Sequence, residues 1–207
     1  MPELFPMLRV ALTGGLASGK SFVGKTLEKL GCLLIQADLL GHAVLLPDGE
    51  AYRAVIDAFG GAILDKDGLI QRRALASQVF QNPDRLALLN SLVHPPVRER
   101  TERMLAEFAA RQPDGIAVVE AAIHIETGGY RHYSKLLLAW CTAEQQVERA
   151  LHRDGGTREE VVARMARQMP LDDKRAYADY IIDTSGTKED TVRQTERVYE
   201  ELRKIAV

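Results

Sequence analysis

The sequence predicts an α/β protein: a three-layer α/β/α arrangement around a parallel sheet of five strands. Two observations carry that reading. Short, continuously apolar runs alternate with longer amphipathic segments, the order in which strands and crossover helices build a parallel sheet. The first of those runs passes at once into a glycine-rich turn and a helix, and open α/β sheets bind their ligands at such turns. At 207 residues the chain has room for one core domain with a modest insertion.

Leu8–Leu12 is the first apolar run, followed by Thr13-Gly14-Gly15 and a helix from about Gly19 to Leu30. Gly31 suits the left-handed position that ends many helices. Cys32–Gln36 is the second run and closes on Ala37-Asp38. Ile116–Val119 and Leu136–Trp140 are continuously apolar, as parallel strands buried on both faces are. Tyr180–Ile182 is a weaker fifth. Between the second and third runs, residues 41–112 read as a mostly helical insertion punctuated by Pro47-Asp48-Gly49, Gly60-Gly61, Asp67-Gly68, Asn82-Pro83 and Pro95-Pro96. The core is then residues 7–40 and 114–205, with a helical lid over residues 149–178. Thr157 and Glu160 have the spacing of a capping box, and Thr187 is placed to cap the last helix.

Composition sets the outer limits. Hydrophobic residues make up 46% and charged residues 27% of the chain, ordinary for a soluble globular protein. A formal charge of -2 gives no overall attraction to nucleic acid or to an anionic membrane surface. Cys32 and Cys141 have no metal or redox spacing and sit in apolar runs, which predicts buried free thiols. No stretch approaches the roughly 20 apolar residues of a membrane span. Met1–Met7 has neither the charge nor the apolar length of a leader. A cytoplasmic monomer or small homo-oligomer is expected.

Chemistry concentrates in Gly14-Gly15-Leu16-Ala17-Ser18-Gly19-Lys20-Ser21, which has the P-loop spacing G-x-x-x-x-G-K-[ST]. Its glycines allow a tight turn that brings backbone N–H groups against phosphate oxygens, and the following helix presents its positive end to the same anion. Lys20 is placed to reach the β- and γ-phosphates of ATP, and the Ser21 hydroxyl to ligate Mg²⁺. Phe22 stands where many such loops carry a second hydroxyl residue. Its backbone N–H remains a candidate phosphate donor, and its ring is expected to pack the helix into the sheet.

Four further features each allow more than one reading. Asp38, beyond the second strand, suits a proton acceptor or a water-mediated Mg²⁺ ligand, and equally an N-cap for a helix over Leu39–Leu45. Glu120 is either a metal-proximal acid closing the third strand or a strand-end surface residue. His94, ending a helix before Pro95-Pro96, is a cap, a core partner or a ligand contact. Arg149, Arg153, Arg158, Arg164 and Arg167 either spread over transferring phosphates from a mobile lid or form a solvated face paired with Glu148, Glu159 and Glu160.

In order and spacing these residues resemble the dephospho-CoA kinase family, from Val10 to about Gly186. Val10-Ala-Leu-Thr-Gly-Gly-Leu-Ala-Ser-Gly-Lys-Ser21 is similar to its P-loop, and Ala37-Asp38 to the end of its Asp-Ala-Asp element. Asp67-Gly-Leu-Ile-Gln-Arg-Arg-Ala-Leu75 resembles the segment leading into its CoA subdomain, and Leu92-Val-His-Pro95 its His-Pro element. Arg153-Asp154 with Thr157-Arg158 resembles its lid, Gln168 follows, and Ala178–Gly186 resembles the strand and loop near adenine. Two departures stand out. Gln36 replaces the first acid of Asp-Ala-Asp, and Glu120-Ala-Ala-Ile-His-Ile-Glu126 lacks the usual Pro-Leu-Leu, with His124 at an apolar position.

The resemblance implies transfer of the ATP γ-phosphoryl group to the 3′-hydroxyl of dephospho-CoA. It assigns catalysis to Asp38, Lys20 and Arg153, and nucleotide contacts to Gly14, Gly15, Ala17–Phe22, Arg149, Arg153, Ser185 and Gly186. Substrate contacts fall to Asp38, Arg72, His94 and Glu120, and Mg²⁺ to Ser21 and, through water, Asp38. Another small-molecule kinase of the scaffold, for a nucleoside or nucleoside monophosphate, shares the P-loop but is disfavoured by Arg72, Arg73 and His94-Pro95. A regulatory GTPase would need an N-K-x-D element, which neither Asn82 nor Asn90 supplies. A binding module without turnover is disfavoured by the full set Lys20, Ser21 and Asp38.

Overall fold

The computed structural model describes residues 7–80 and 82–206; residues 1–6, most of the stretch read for a leader, lie outside them. Five strands form one wholly parallel sheet in the order β2-β3-β1-β4-β5: β1 (Leu8–Gly14), β2 (Leu33–Gln36), β3 (Ile116–Glu120), β4 (Lys135–Trp140) and β5 (Tyr180–Asp183). The three central strands are buried almost throughout, and two of them, β3 and β4, carry continuous apolar runs. The edge strands β2 and β5 are shorter and less buried.

Chain contacts divide the protein into two compact units, residues 1–36 with 105–207, and residues 37–104. In the first, helix α1 (Lys20–Lys29) lays Val23 and Leu27 on the sheet, with Val10, Leu12, Val118 and Leu137 beneath them. Gly31, at φ 104°, ends α1: its N–H donates to Glu28 O and that of Cys32 to Leu27 O, the paired bonds of a Schellman motif. The long C-terminal helix α9 (Lys188–Ile205) adds Leu202 to the same core. Thr187 caps α9 through a full capping box with Asp190.

Before α9 come α6 (Ala143–Asp154), α7 (Arg158–Met165) and the short α8 (Leu171–Lys174). The predicted Thr157–Glu160 box starts α7. A second box, Thr142–Gln145, starts α6. Val147, Ala150 and Val161 pack together against Leu16 and Ala17. Both cysteines are free and buried, and burial pushes the Cys32 thiol up to about 12.

The second unit holds α2 (Ala37–Ala43), α3 (Tyr52–Phe59), α4 (Arg72–Val79) and most of α5 (Pro83–Arg111). Its core is Val44, Val55, Phe59, Ile63 and Leu75. Two expectations are corrected here. Helix α2 starts at Ala37, so Asp38 lies in its first turn and is not an N-cap. Pro95 and Pro96 do not end a helix; both lie inside α5. Two prolines remove two backbone donors and disfavour helix before them. Leu89, Leu92, Val93 and Val97 pack on the unit's core from both sides of the pair, which gives the helix a reason to continue.

Candidate active site

Because β1 is central, its carboxyl end places residues 14–21 in the middle of the sheet edge where such folds bind ligands. Gly14 is required by close approach: a Cβ there would lie 2.3 Å from Ser18 Oγ and 3.1 Å from Ala139 O. Gly19 turns the chain into α1 at φ 84°. Ala17 has φ 54°, a left-handed conformation that costs a side-chain-bearing residue about 1–2 kcal/mol. Gly15 N–H donates to Ser18 Oγ at 3.2 Å, and Thr184 Oγ1 donates to Ser18 O at 2.7 Å. The amides at the start of α1 lie at its positive end. The Phe22 amide donates to Gly19 O at 2.9 Å. Its ring is half-buried and lines a cavity with Lys188 and Val192 of α9 instead of joining the sheet core, which correct spacing along α1 gives to Val23 and Leu27.

Glu120 is where the site tightens. It ends β3 almost fully buried, which rules out the surface reading. Its Oε1 accepts from Lys20 Nζ and from Ser21 Oγ, each at 2.7 Å, and its Oε2 from Gln36 Nε2 at 2.8 Å. Burial pushes this carboxyl up, but the Lys20 charge and the hydrogen bonds from Lys20, Ser21 and Gln36 outweigh it and hold the group below the usual carboxylate range. The arrangement gathers a cation, a hydroxyl and a carboxylate at the mouth of an anion-binding loop.

The lid arginines have mixed partners. Arg149 donates to Thr184 Oγ1 at 3.2 Å and Thr184 O at 2.6 Å, beside the predicted adenine-side residues Ser185 and Gly186. Arg153 and Arg164 share Asp154. Arg158 pairs with Glu144 at 2.7 Å. Of the acids expected to neutralise this face, Glu159 and Glu148 act on Arg158 behind its direct partner Glu144, while Asp154 serves Arg153 and Arg164.

Within the insertion unit, His42 lies close enough to both Asp38 and Arg72 to feel their charges. Burial and Arg72 pull its imidazole below the ordinary range, against the opposing pull of Asp38. His94 is likewise lowered, by burial and by Arg98.

A family profile for dephospho-CoA kinase matches residues 8–190. The chain belongs to the dephospho-CoA kinase family. It is 41% identical over 196 residues to the dephospho-CoA kinase of Geobacter metallireducens, covering 94% of this chain and 96% of that one. It is 36% identical to that of Aquifex aeolicus, with 95% and 98% covered. Among solved structures, TT1252 from Thermus thermophilus superposes with a TM-score of 0.78 at 32% identity, over 94% of this chain and 97% of that one. The dephospho-CoA kinase from Campylobacter jejuni shares the fold at a TM-score of 0.63 and 22% identity, over 96% and 99%.

Both departures from the family pattern have a local account. Gln36 supplies the amide that holds Glu120 Oε2. His124 is buried, its Nε2 lies 2.9 Å from Val119 O, and its ring meets Tyr133 edge-on at 5.1 Å. A polar side chain thus fills an apolar position of the dephospho-CoA kinase pattern by satisfying a strand carbonyl.

Several residues touching the loop lie far from it in sequence; Gln168 belongs to the family pattern, while Gln146 and Lys174 carry no motif of their own. Gln168 Oε1 accepts from Leu16 N at 2.9 Å, Gln146 Nε2 donates to Leu16 O at 2.7 Å, and Lys174 Nζ donates to Gly14 O at 3.2 Å. His42 was the most legible of the missed residues, since it stands at i+4 from Asp38 on one helix face.

Proposed function

We propose that this chain transfers the γ-phosphoryl group of ATP to the 3′-hydroxyl of dephospho-CoA, releasing coenzyme A and ADP. The observation that carries the proposal is the Lys20–Ser21–Glu120 cluster at a phosphate-binding loop, in a chain of this family.

The residues suit a magnesium–nucleotide complex. Ser21 and Glu120 offer hard oxygen donors 2.7 Å apart, the ligand type Mg²⁺ takes. Among the described residues no His, Cys, Asp and Glu cluster forms a cage, and an ion shared with phosphates and water needs none. Mg²⁺, when bound, neutralises charge on the β- and γ-phosphates. With phosphate present Lys20 exchanges Glu120 for phosphate oxygen, and Ser21 with the freed Glu120 carboxylate would hold the ion, directly or through water. Loop amides hold the remaining phosphate oxygens.

Asp38 accepts the proton of the attacking hydroxyl as its oxygen bonds to phosphorus, while the bond to the β–γ bridging oxygen breaks and ADP leaves. Arg153, joined to Arg164 through Asp154, supplies positive charge to the transferring group. Arg72, His42 and His94 serve the acceptor within the helical insertion, residues 41–112. A cytoplasmic location suits an enzyme that draws on the ATP pool.

A coupled assay with ATP and Mg²⁺ compares dephospho-CoA with AMP, CMP and shikimate. Turnover of dephospho-CoA alone is expected; turnover of another acceptor in its place sinks the proposal. Asp38→Asn should lower kcat about 10²–10⁴-fold, and near-normal kcat at saturating Mg²⁺ removes Asp38 as the base.

A further inference from the structure

We propose that Lys174 is a positioning residue for this reaction: with Glu126 it holds the phosphate loop in its binding shape and ties that shape to the root of the lid. The inference rests on the phosphate-loop role assigned above.

Lys174 ends α8 with 0% of its side chain exposed. A fully buried lysine is rare unless it is paired. Its ammonium has three protons and three acceptors: Ala122 O at 2.7 Å, Glu126 Oε1 at 2.9 Å and Gly14 O at 3.2 Å. Burial lowers its pKa, and the hydrogen bond and charge of Glu126 oppose that.

The Gly14 contact is the informative one. Gly14 O and Gly15 N belong to one peptide unit. Lys174 holds its oxygen, and Ser18 Oγ accepts from its N–H. The next peptides are held through Leu16, whose N–H donates to Gln168 and whose carbonyl accepts from Gln146. Side chains far along the sequence therefore set the orientation of the loop before any phosphate arrives. Glu126 Oε1 also accepts from Met169 N at 2.9 Å, one residue past Gln168. The pair, a buried lysine and a carboxylate nearer the surface, thus joins the loop to the segment on which the helix bearing Arg164 ends.

A purely structural role makes a different prediction. An ion pair that takes a cation out of water is often replaced by neutral residues of similar volume without loss of stability. A pair that served only packing would then be dispensable for nucleotide binding as well. A pair that aims the Gly14–Gly15 peptide would not be.

The test compares the parent protein with Lys174→Met/Glu126→Gln, which removes both charges together. Melting temperature, Kd for MgADP by calorimetry, and KM for ATP and for dephospho-CoA are measured. The double variant should melt close to the parent, bind MgADP about tenfold more weakly, raise KM for ATP by a similar factor and leave KM for dephospho-CoA unchanged. The tenfold figure corresponds to losing roughly one hydrogen bond's worth of loop positioning. Parent-like MgADP affinity, or equal rises in both KM values, overturns the proposal. If the double variant shows no cooperative melt, Glu126→Gln decides. It keeps the lysine and its carbonyl contacts, and should weaken MgADP about threefold with KM for dephospho-CoA unchanged; unaltered MgADP affinity overturns the proposal. A parent protein that fails to phosphorylate dephospho-CoA refutes the assigned reaction, while the MgADP titration still decides the role of Lys174.

Discussion

Replacing Glu120 with Gln isolates the charge at the centre of the site. The amide keeps the shape of the carboxylate, and its oxygen can accept from Lys20 and Ser21 as Oε1 does now. Its NH₂ would face the Gln36 NH₂, a conflict that rotating the Gln36 amide relieves by presenting an oxygen instead. Packing therefore survives, and the variant loses only the negative charge beside Lys20. Side-chain exposure is 11% for Lys20 and 3% for Glu120, so solvent screens little of that loss. Breaking a buried pair outright costs about 3–5 kcal/mol. With an acceptor oxygen retained, about 2 kcal/mol is the expected cost. For a chain of this size that lowers Tm by roughly 4–8 °C.

Nucleotide should change the comparison. On the proposed mechanism Lys20 leaves Glu120 for phosphate, so the missing charge matters less once MgADP is bound. Thermal unfolding with and without saturating MgADP should show the deficit of E120Q shrinking to less than half. In the coupled assay kcat should fall about 10–100-fold, the usual effect of losing a group that orients metal-bound water. A full Tm deficit persisting with MgADP, or an unchanged kcat, refutes the exchange of Glu120 for phosphate.

Two further substitutions probe the loop and the lid. Gly14→Ala puts a methyl 2.3 Å from Ser18 Oγ; the loop must shift, and MgADP affinity measured by calorimetry should drop at least about tenfold. Asp154→Asn separates Arg153 from Arg164. Hydrogen bonds from Arg153 and then Arg164 hold the Asp154 carboxyl well below the usual carboxylate range. A depressed carboxylate stabilises the fold above its unfolded-state pKa of about 4 and loses that contribution as pH falls further. The parent should therefore melt slightly above D154N at pH 7, by less than about 1 kcal/mol because the pair is partly exposed. The two curves should converge below about pH 3; a gap that widens there contradicts this account.

Features fixed by neighbouring residues were legible in the sequence. The loop from Gly14 to Ser21, the left-handed end at Gly31, the capping box at Thr157 and the cap at Thr187 each need only a few adjacent positions. The central strands announced themselves through continuous apolar runs, because both their faces are covered. What escaped depends on distance. Lys174 and Gly14 are 160 positions apart, and Leu16 and Gln168 are 152, and no periodicity records such a meeting. Helix α5 ran through Pro95-Pro96 because flanking leucines and valines had a core to join, a tertiary gain that outweighs a local rule. Phe22 failed differently: the helix period alone could have shown that Val23 and Leu27 occupy the sheet-facing side.

The substitution at Gln36 shows how a departure from a family pattern can preserve its chemistry. An aspartate there is one methylene shorter and would not reach the 2.8 Å at which the Gln36 amide donates to Glu120. It would still bring a second negative charge towards the first, and like charges oppose each other's ionisation. Glu120 would also lose the donor that holds its Oε2. The amide avoids that by donating to Glu120, so a single negative charge remains and points at Lys20 and Ser21. The acid lost from position 36 need not be replaced if it does not take the substrate proton, and the proposed base, Asp38, is retained two residues on. Glu120 is then the acid at the strand edge that faces the phosphate loop, with Gln36 as its support. The Glu120→Gln experiment therefore tests both residues, since the Gln36 amide has a reason to rotate only if it was donating to a carboxylate.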